Sequence, residues 1–209
     1  MKVNKYGKEP SVIGQFNLVP EEMCFVQYLP IAMAGKDGLG EQVFVPENLS
    51  WVWPIIHAAQ ARESGFGIED YVYLTVKHLY VTPSNMGNRP GWHSDGFGTD
   101  DINYIWCDQY PTEFCIQDFS ITEDCETSLK EMEDQARVLN IKTYGENTLL
   151  RLDKYNIHRT PVIGEGYRTF VKISISKNRY NLKGNAHNYL FDYDWEMMLR
   201  SDIRNHPSK

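Results

Sequence analysis

The chain has 209 residues, 42% of them hydrophobic, and a formal charge of −7. That length fits one domain, 1–209, able to bury a core without disulfide staples, and the acidic balance argues against a protein built to grip phosphate backbones, which needs clustered Lys and Arg. No run approaches the ~18 apolar residues of a membrane span, the opening MKVNKYGKEPSVIGQF lacks an apolar signal stretch, and Cys24, Cys107, Cys115 and Cys125 form no C-x-x-C pair, so the expectation is a cytoplasmic protein with reduced thiols and no membrane partner.

No repeat, low-complexity run or linker divides the chain. The residues before Tyr71 are read as a helical or irregular N-terminal region, with a helix from about Trp51 to Arg62, after Ser50 and ending before Gly65. Strand-like segments follow: YVYLTVKHLYV from Tyr71, INYIW from Ile102, EFCIQDFSI from Glu113, NTLLRL from Asn147 and RTFVKISIS from Arg168, each short, rich in β-branched or aromatic residues and bounded by turn residues. A second helix is expected from about Ser128 to Val138, where Glu126, Lys130 and Asp134 at i, i+4 describe a solvent-facing charged side, and a third after Asp194. Many short strands with few helices predict a mainly β fold, an antiparallel jelly roll over about 71–180 with flanking helices and a C-terminal extension. Between Arg151 and Lys183 eight Lys/Arg face only Asp153 and Glu165; this basic block is either a solvated set of strands or an attractor for an anionic ligand.

The segment PGWHSDGFG, Pro90 to Gly98, places His93 and Asp95 two apart, so that in an extended chain they share a face and Ser94 points away. Taken alone, H-x-D is a weak signal. His158, in DKYNIHRTPV, adds a second imidazole, and two histidines with one carboxylate form the facial set of non-haem Fe(II) oxygenases. Ten residues later Arg168 opens a strand in which Phe170 and Lys172 share its face; a guanidinium there calls for an anion. His57, His78, His187 and His206 are read as structural or solvated, His78 being the nearest rival ligand.

H-S-D at 93–95, the distal His158 and Arg168 resemble the H-x-D…H…R pattern of the Fe(II)- and 2-oxoglutarate-dependent dioxygenases, and YVTPSNMGNRPGWHSD resembles the lead-in of the prolyl-hydroxylase-like members. The likeness spans roughly Tyr71 to Lys177. It implies that His93, Asp95 and His158 are the catalytic metal ligands for Fe(II), that 2-oxoglutarate chelates the iron, and that Arg168 pairs with its far carboxylate. It also implies that O2 is the cosubstrate and succinate the coproduct. Tyr80 can donate its hydroxyl to the same carboxylate, or be a core tyrosine satisfied by backbone. Relatives that halogenate carry a small residue where this chain has Asp95, so hydroxylation is the implied outcome.

The substrate is expected to be a small molecule, a nucleobase or a side chain. Phe97, Tyr104, Trp106, Tyr110 and Phe114 lie between the ligands and either stack on a flat substrate or fill the core; Tyr104 and Trp106 share a face, and Trp106 is placed in the pocket. Gln109 and Glu113 either orient a polar group or belong to a surface turn. Two other functions compete: a zinc or manganese hydrolase or isomerase without 2-oxoglutarate, which leaves Arg168 without a purpose, and a non-catalytic jelly-roll binding protein.

Overall fold

The chain builds the middle of its largest sheet from segments rich in β-branched and aromatic residues. The computed structural model describes residues 2–35 and 42–199. Its strands are β1 (Lys2–Tyr6), β2 (Ser11–Gln15), β3 (Cys24–Ala32), β4 (Tyr71–Val81), β5 (Ile102–Cys107), β6 (Glu113–Cys115), β7 (Phe119–Thr122), β8 (Ile141–Lys142), β9 (Thr148–Leu152), β10 (His158–Arg159) and β11 (Gly166–Ser176). Its helices are α1 (Trp53–Gln60), which continues a 3-10 turn at Glu47–Val52, and α2 (Cys125–Gln135). The fold is mainly β with antiparallel pairing: a six-stranded sheet in the order β2-β9-β5-β11-β4-β3, a three-stranded sheet β10-β6-β8, and the pair β1-β7. No helix of the described residues is long and apolar enough to cross a membrane.

Side-chain alternation gives the large sheet two unlike faces. Val72, Leu74, Val76, Tyr104, Trp106, Leu149, Val171, Ile173 and Ile175 pack with Leu49, Val52, Ile55, Ile56 and Ala59 of the helical segment into the main core. On the other face Ile105, Leu150, Leu152 and Phe170 meet Phe114 and Ile116 of the small-sheet side. The register keeps the faces in phase: Val171 lies opposite Trp106 and Val76, and Lys172 opposite Ile105 and Thr75.

Several expectations are corrected. The N-terminal region also contributes strands: β2 and β3 are the edge strands of the large sheet and β1 pairs with β7. Pro30 is tolerated in β3 because an edge strand has one side without ladder bonds. EFCIQDFSI is two strands in different sheets, β6 and β7. At this break Gly7, with φ +87°, passes so close that a Cβ would lie 1.8 Å from the Gln117 carbonyl oxygen. Helix α2 starts at Cys125 rather than Ser128 because the Asp124 carboxylate accepts the Thr127 N–H at 2.8 Å, an N-cap one turn earlier. Residues 194–199 carry no helix, and residues beyond 199 lie outside the described residues.

Tyr104 and Trp106 are core residues, not substrate contacts. Both are on the α1 face, 0% and 1% exposed, and their polar atoms are satisfied there: the Trp106 indole N–H donates to the Phe16 carbonyl at 2.9 Å and the Tyr104 hydroxyl to Glu63 at 2.6 Å. Ile105 takes the other face.

Arg151 also donates to Glu63, at 2.6 Å, tying α1's C-terminal turn to β9 and β5. Burial raises the Glu63 carboxyl, but the Arg151 and Tyr104 hydrogen bonds hold it below its ordinary value. A carboxyl whose folded pKa is depressed stabilises the fold above its unfolded pKa of about 4.3 and loses that contribution as pH falls through the folded value. Glu63→Gln is therefore expected to lower stability at neutral pH by about 1–2 kcal/mol and to flatten the wild-type decline on acidification, as read by urea melts at neutral pH and near pH 4. A variant with wild-type stability at both would remove the network's role.

Candidate metal centre

Beyond β4 the chain makes a tight turn in which Thr82 and Asn85 exchange backbone hydrogen bonds, then runs to His93. There His93 N–H donates to the His158 carbonyl at 2.9 Å and His158 N–H returns the bond at 2.8 Å, an isolated antiparallel bridge that extends the small sheet by one residue beyond β10. Residues that exchange both bonds project their side chains to the same face, and the two imidazole centroids lie 4.5 Å apart. Ser94 points away and donates to the Lys154 carbonyl, so Asp95 returns to the histidine face. Gly96, at φ +74°, turns the chain where a Cβ would stand 3.1 Å from the Asp101 Cβ.

The ligating atoms of His93, Asp95 and His158 all lie within 4.8 Å of one another, and Asp95 Oδ2 is 3.8 Å from His158 Nε2. Each ring has its other nitrogen held: His93 Nδ1 is 2.9 Å from the Gly91 carbonyl and His158 Nδ1 is 3.0 Å from the Asn156 carbonyl. A carbonyl only accepts, so both Nδ1 atoms carry the proton and both Nε2 lone pairs are left for a cation, the usual arrangement behind a metal-bound histidine. Asn156 is itself fixed, accepting from Asp153 N–H and donating to the Lys8 carbonyl. Burial, and then His158, pushes the His93 imidazolium down to about 4; burial lowers His158 too, against the opposing pull of Asp95. Both imidazoles are therefore neutral at physiological pH, the form that binds metal. Two neutral nitrogens and one carboxylate oxygen suit a divalent first-row transition metal with positions left for other ligands.

The triad opens into a cavity of about 1120 Å³. Lys172, one of its wall residues, donates to Asp95 Oδ2 at 3.0 Å and approaches the Tyr28 hydroxyl at 3.3 Å. Lys77 and Phe170 also line it. Lys77 and Tyr28 were not foreseen from the sequence; the i, i+2 rule along β4 and β11 carries the signal for both lysines, whereas Tyr28 comes from a segment read as irregular.

Arg168 shares the Phe170 and Lys172 face of β11 and is 3% exposed, but its guanidinium turns to the backbone, Nε donating to the Gln109 carbonyl at 3.1 Å and Nη2 to the Tyr110 carbonyl at 3.2 Å. It is not among the residues of the cavity wall. Tyr80 is a correction: it lies on the opposite face of β4 from Lys77 and Leu79, 49% exposed and edge-on to Tyr167 at 5.5 Å, so its hydroxyl does not enter the cavity. Glu113 is paired with Arg159 at 2.7 Å, and Gln109 meets Arg168 through its carbonyl. Phe114 packs behind His158 and Phe97 joins the cavity wall. His78 bonds Thr169 at 2.9 Å, while His57 and His187 stack on Trp53 and Tyr193; His206 lies outside the described residues.

Compared with known proteins, the chain matches no family model, no curated protein and no solved structure.

Wild-type protein is expected to bind one Mn(II) or Co(II), and alanine at His93, Asp95 or His158 to weaken that binding by more than about 100-fold in calorimetric titration, since even outer-shell losses cost ~10–100-fold. Full affinity in His158→Ala would remove His158 from the ligand set. Trp106→Ala should instead cost ~3–5 kcal/mol of stability in denaturant melts and leave metal affinity of the folded protein unchanged.

Proposed function

We propose that this chain is a non-haem Fe(II)- and 2-oxoglutarate-dependent dioxygenase that hydroxylates a C–H bond of a small molecule, a nucleobase or a side chain. The observation that carries the reading is the convergence of two imidazole Nε2 atoms and one carboxylate on one wall of a large cavity, each Nδ1 anchored to a carbonyl. The strand path supports it. From β4 onward the chain alternates between the large and small sheets: β4, then His93, β5, β6 and β8, β9, β10, β11, with the metal ligands on the small sheet's edge and the turn after it. In this reading the two sheets form a double-stranded β-helix, a jelly roll whose interior is the cavity.

His93, Asp95 and His158 would hold Fe(II), which with a chelated 2-oxo acid supplies O2 activation when bound. The chain's own contribution is position and environment. The two carbonyl-anchored imidazoles keep the ligand geometry without a proton being lost or gained near neutrality. Ile105 and Phe170 give the cavity an apolar side that limits water, and Lys172 beside Asp95 supplies positive charge where an anionic cosubstrate approaches. The carboxylate of Asp95 fills the ligand position that halogenating relatives leave open, in keeping with hydroxylation.

The test is iron-dependent turnover. Protein loaded with Fe(II) without oxygen, then exposed to O2 and 2-oxoglutarate with a pooled metabolite, peptide and nucleotide library, is expected to yield succinate and a product heavier by one oxygen. Asp95→Ala should yield neither. A library component altered by the zinc-loaded protein without 2-oxoglutarate, and no succinate from the iron form, would sink the oxygenase reading in favour of a hydrolase.

A further inference from the structure

The cavity wall inverts the charge of the protein that contains it. The chain carries −7 overall, yet the wall has Lys77, Arg89, Arg159, Lys172 and Arg179 against Asp95 and Asp101. Two of these cations stand along the β4–β11 seam. The register sets Thr75 opposite Lys172, Lys77 opposite Phe170 and Leu79 opposite Arg168, so Lys77 is the diagonal neighbour of both Lys172 and Arg168. Diagonal positions on one face are about 7–8 Å apart, within reach of long side chains. Outward from the metal ligands, the seam therefore presents Lys172, then Lys77, then Arg168.

Their partners differ. Lys172 has Asp95, and Arg168 is occupied by two backbone carbonyls outside the cavity wall. Lys77 Nζ donates to the Gly87 carbonyl at 2.7 Å and to Asn88 Oδ1 at 2.9 Å, both neutral acceptors, and among the described residues no carboxylate pairs with it. Burial, then Lys172 and Arg168, lowers its ammonium to about 8, opposed only by Asp95. A cation in such a place is satisfied by an anion that arrives with the ligand.

We propose that Lys77 is the seat of the far carboxylate of the 2-oxo diacid chelated at the metal, and so the residue that selects a diacid over a monoacid, in place of Arg168. The inference rests on the dioxygenase reading and deepens it. It follows from reach: Lys77 is the cavity-lining rung beyond Lys172, whereas the Arg168 guanidinium stands over the Phe170 ring, 5.4 Å from its centroid, and is not among the wall residues. Lys77 also holds the loop that leads to Gly91 and His93, so a carboxylate on Nζ would join both ends of the ligand to one structural unit.

The experiment is calorimetric titration of Mn(II)-loaded protein with 2-oxoglutarate and with pyruvate, a 2-oxo acid with the same chelating end and no far carboxylate. Wild type is expected to prefer 2-oxoglutarate. Lys77→Met should lower 2-oxoglutarate affinity at least about 30-fold and leave pyruvate affinity unchanged, as losing one partner of a desolvated charge pair does, and Lys77→Arg should recover most of the loss. Unchanged 2-oxoglutarate affinity in Lys77→Met, or a loss confined to Arg168→Met, overturns the seat while leaving the dioxygenase reading intact. An equal loss of both acids in Lys77→Met shows that the lysine only holds the loop, and overturns the seat as well. Metal-loaded wild type that binds neither acid overturns the seat together with the reading beneath it.

Discussion

Alternation along a pleated strand is the constraint on which this molecule depends. Along β11, Val171, Ile173 and Ile175 enter the apolar core against α1, while Phe170 and Lys172 face the cavity. The same division runs through β5, where Ile105 faces away from its neighbours Tyr104 and Trp106, and through β4, where Thr75 and Lys77 alternate with Leu74 and Val76. Because the period is two, a slip of one residue in β4 or β11 would drive Lys77 or Lys172 into hydrocarbon and put valines in the cavity. The apolar face thus enforces the register that aims the polar one.

This explains what the sequence disclosed and what it withheld. β4 was readable to its ends, Tyr71 to Val81, because eleven residues of β-branched and aromatic character leave little else to form. The triad was readable because i, i+2 spacing places His93 and Asp95 on one side, and because DKYNIHRTPV ends a strand-like run. Alternation also paired Tyr104 with Trp106, but it does not say which of two faces is the cavity. That was decided by helix α1 and by the Phe16 carbonyl, both from a region whose placement no local pattern revealed. The edge strands β2 and β3 were hidden for a related reason: SVIGQ and CFVQYLPIA gain their stability from β9 and β4, not from their own composition. Arg168 was found as a buried cation, yet burial alone does not reveal that backbone carbonyls of the 109–110 turn take its donors.

The electrostatics of the cavity suit the candidate metal centre. Its histidines are neutral because they are buried, with His158 adding to the effect at His93 and Lys172 at His158, so a divalent ion need displace no proton from them. Its lysines are tied to carbonyl and carboxylate oxygens, Lys77 even though burial and then the neighbouring Lys172 and Arg168 disfavour its charge. A cationic wall in a chain of net charge −7 would favour a small anion over a polyanion.

The bridge between His93 and His158 has a consequence for the order in which the chain folds. It closes a loop of about 65 residues with only two hydrogen bonds, and closing a loop of that length carries an entropic cost that those bonds alone do not offset. The bridge is therefore expected to form after β5, β6 and β9, which lie within that loop, have paired in their sheets. A nascent or partly unfolded chain has the three ligands but not their meeting point. A metal held by all three residues would therefore require the folded chain.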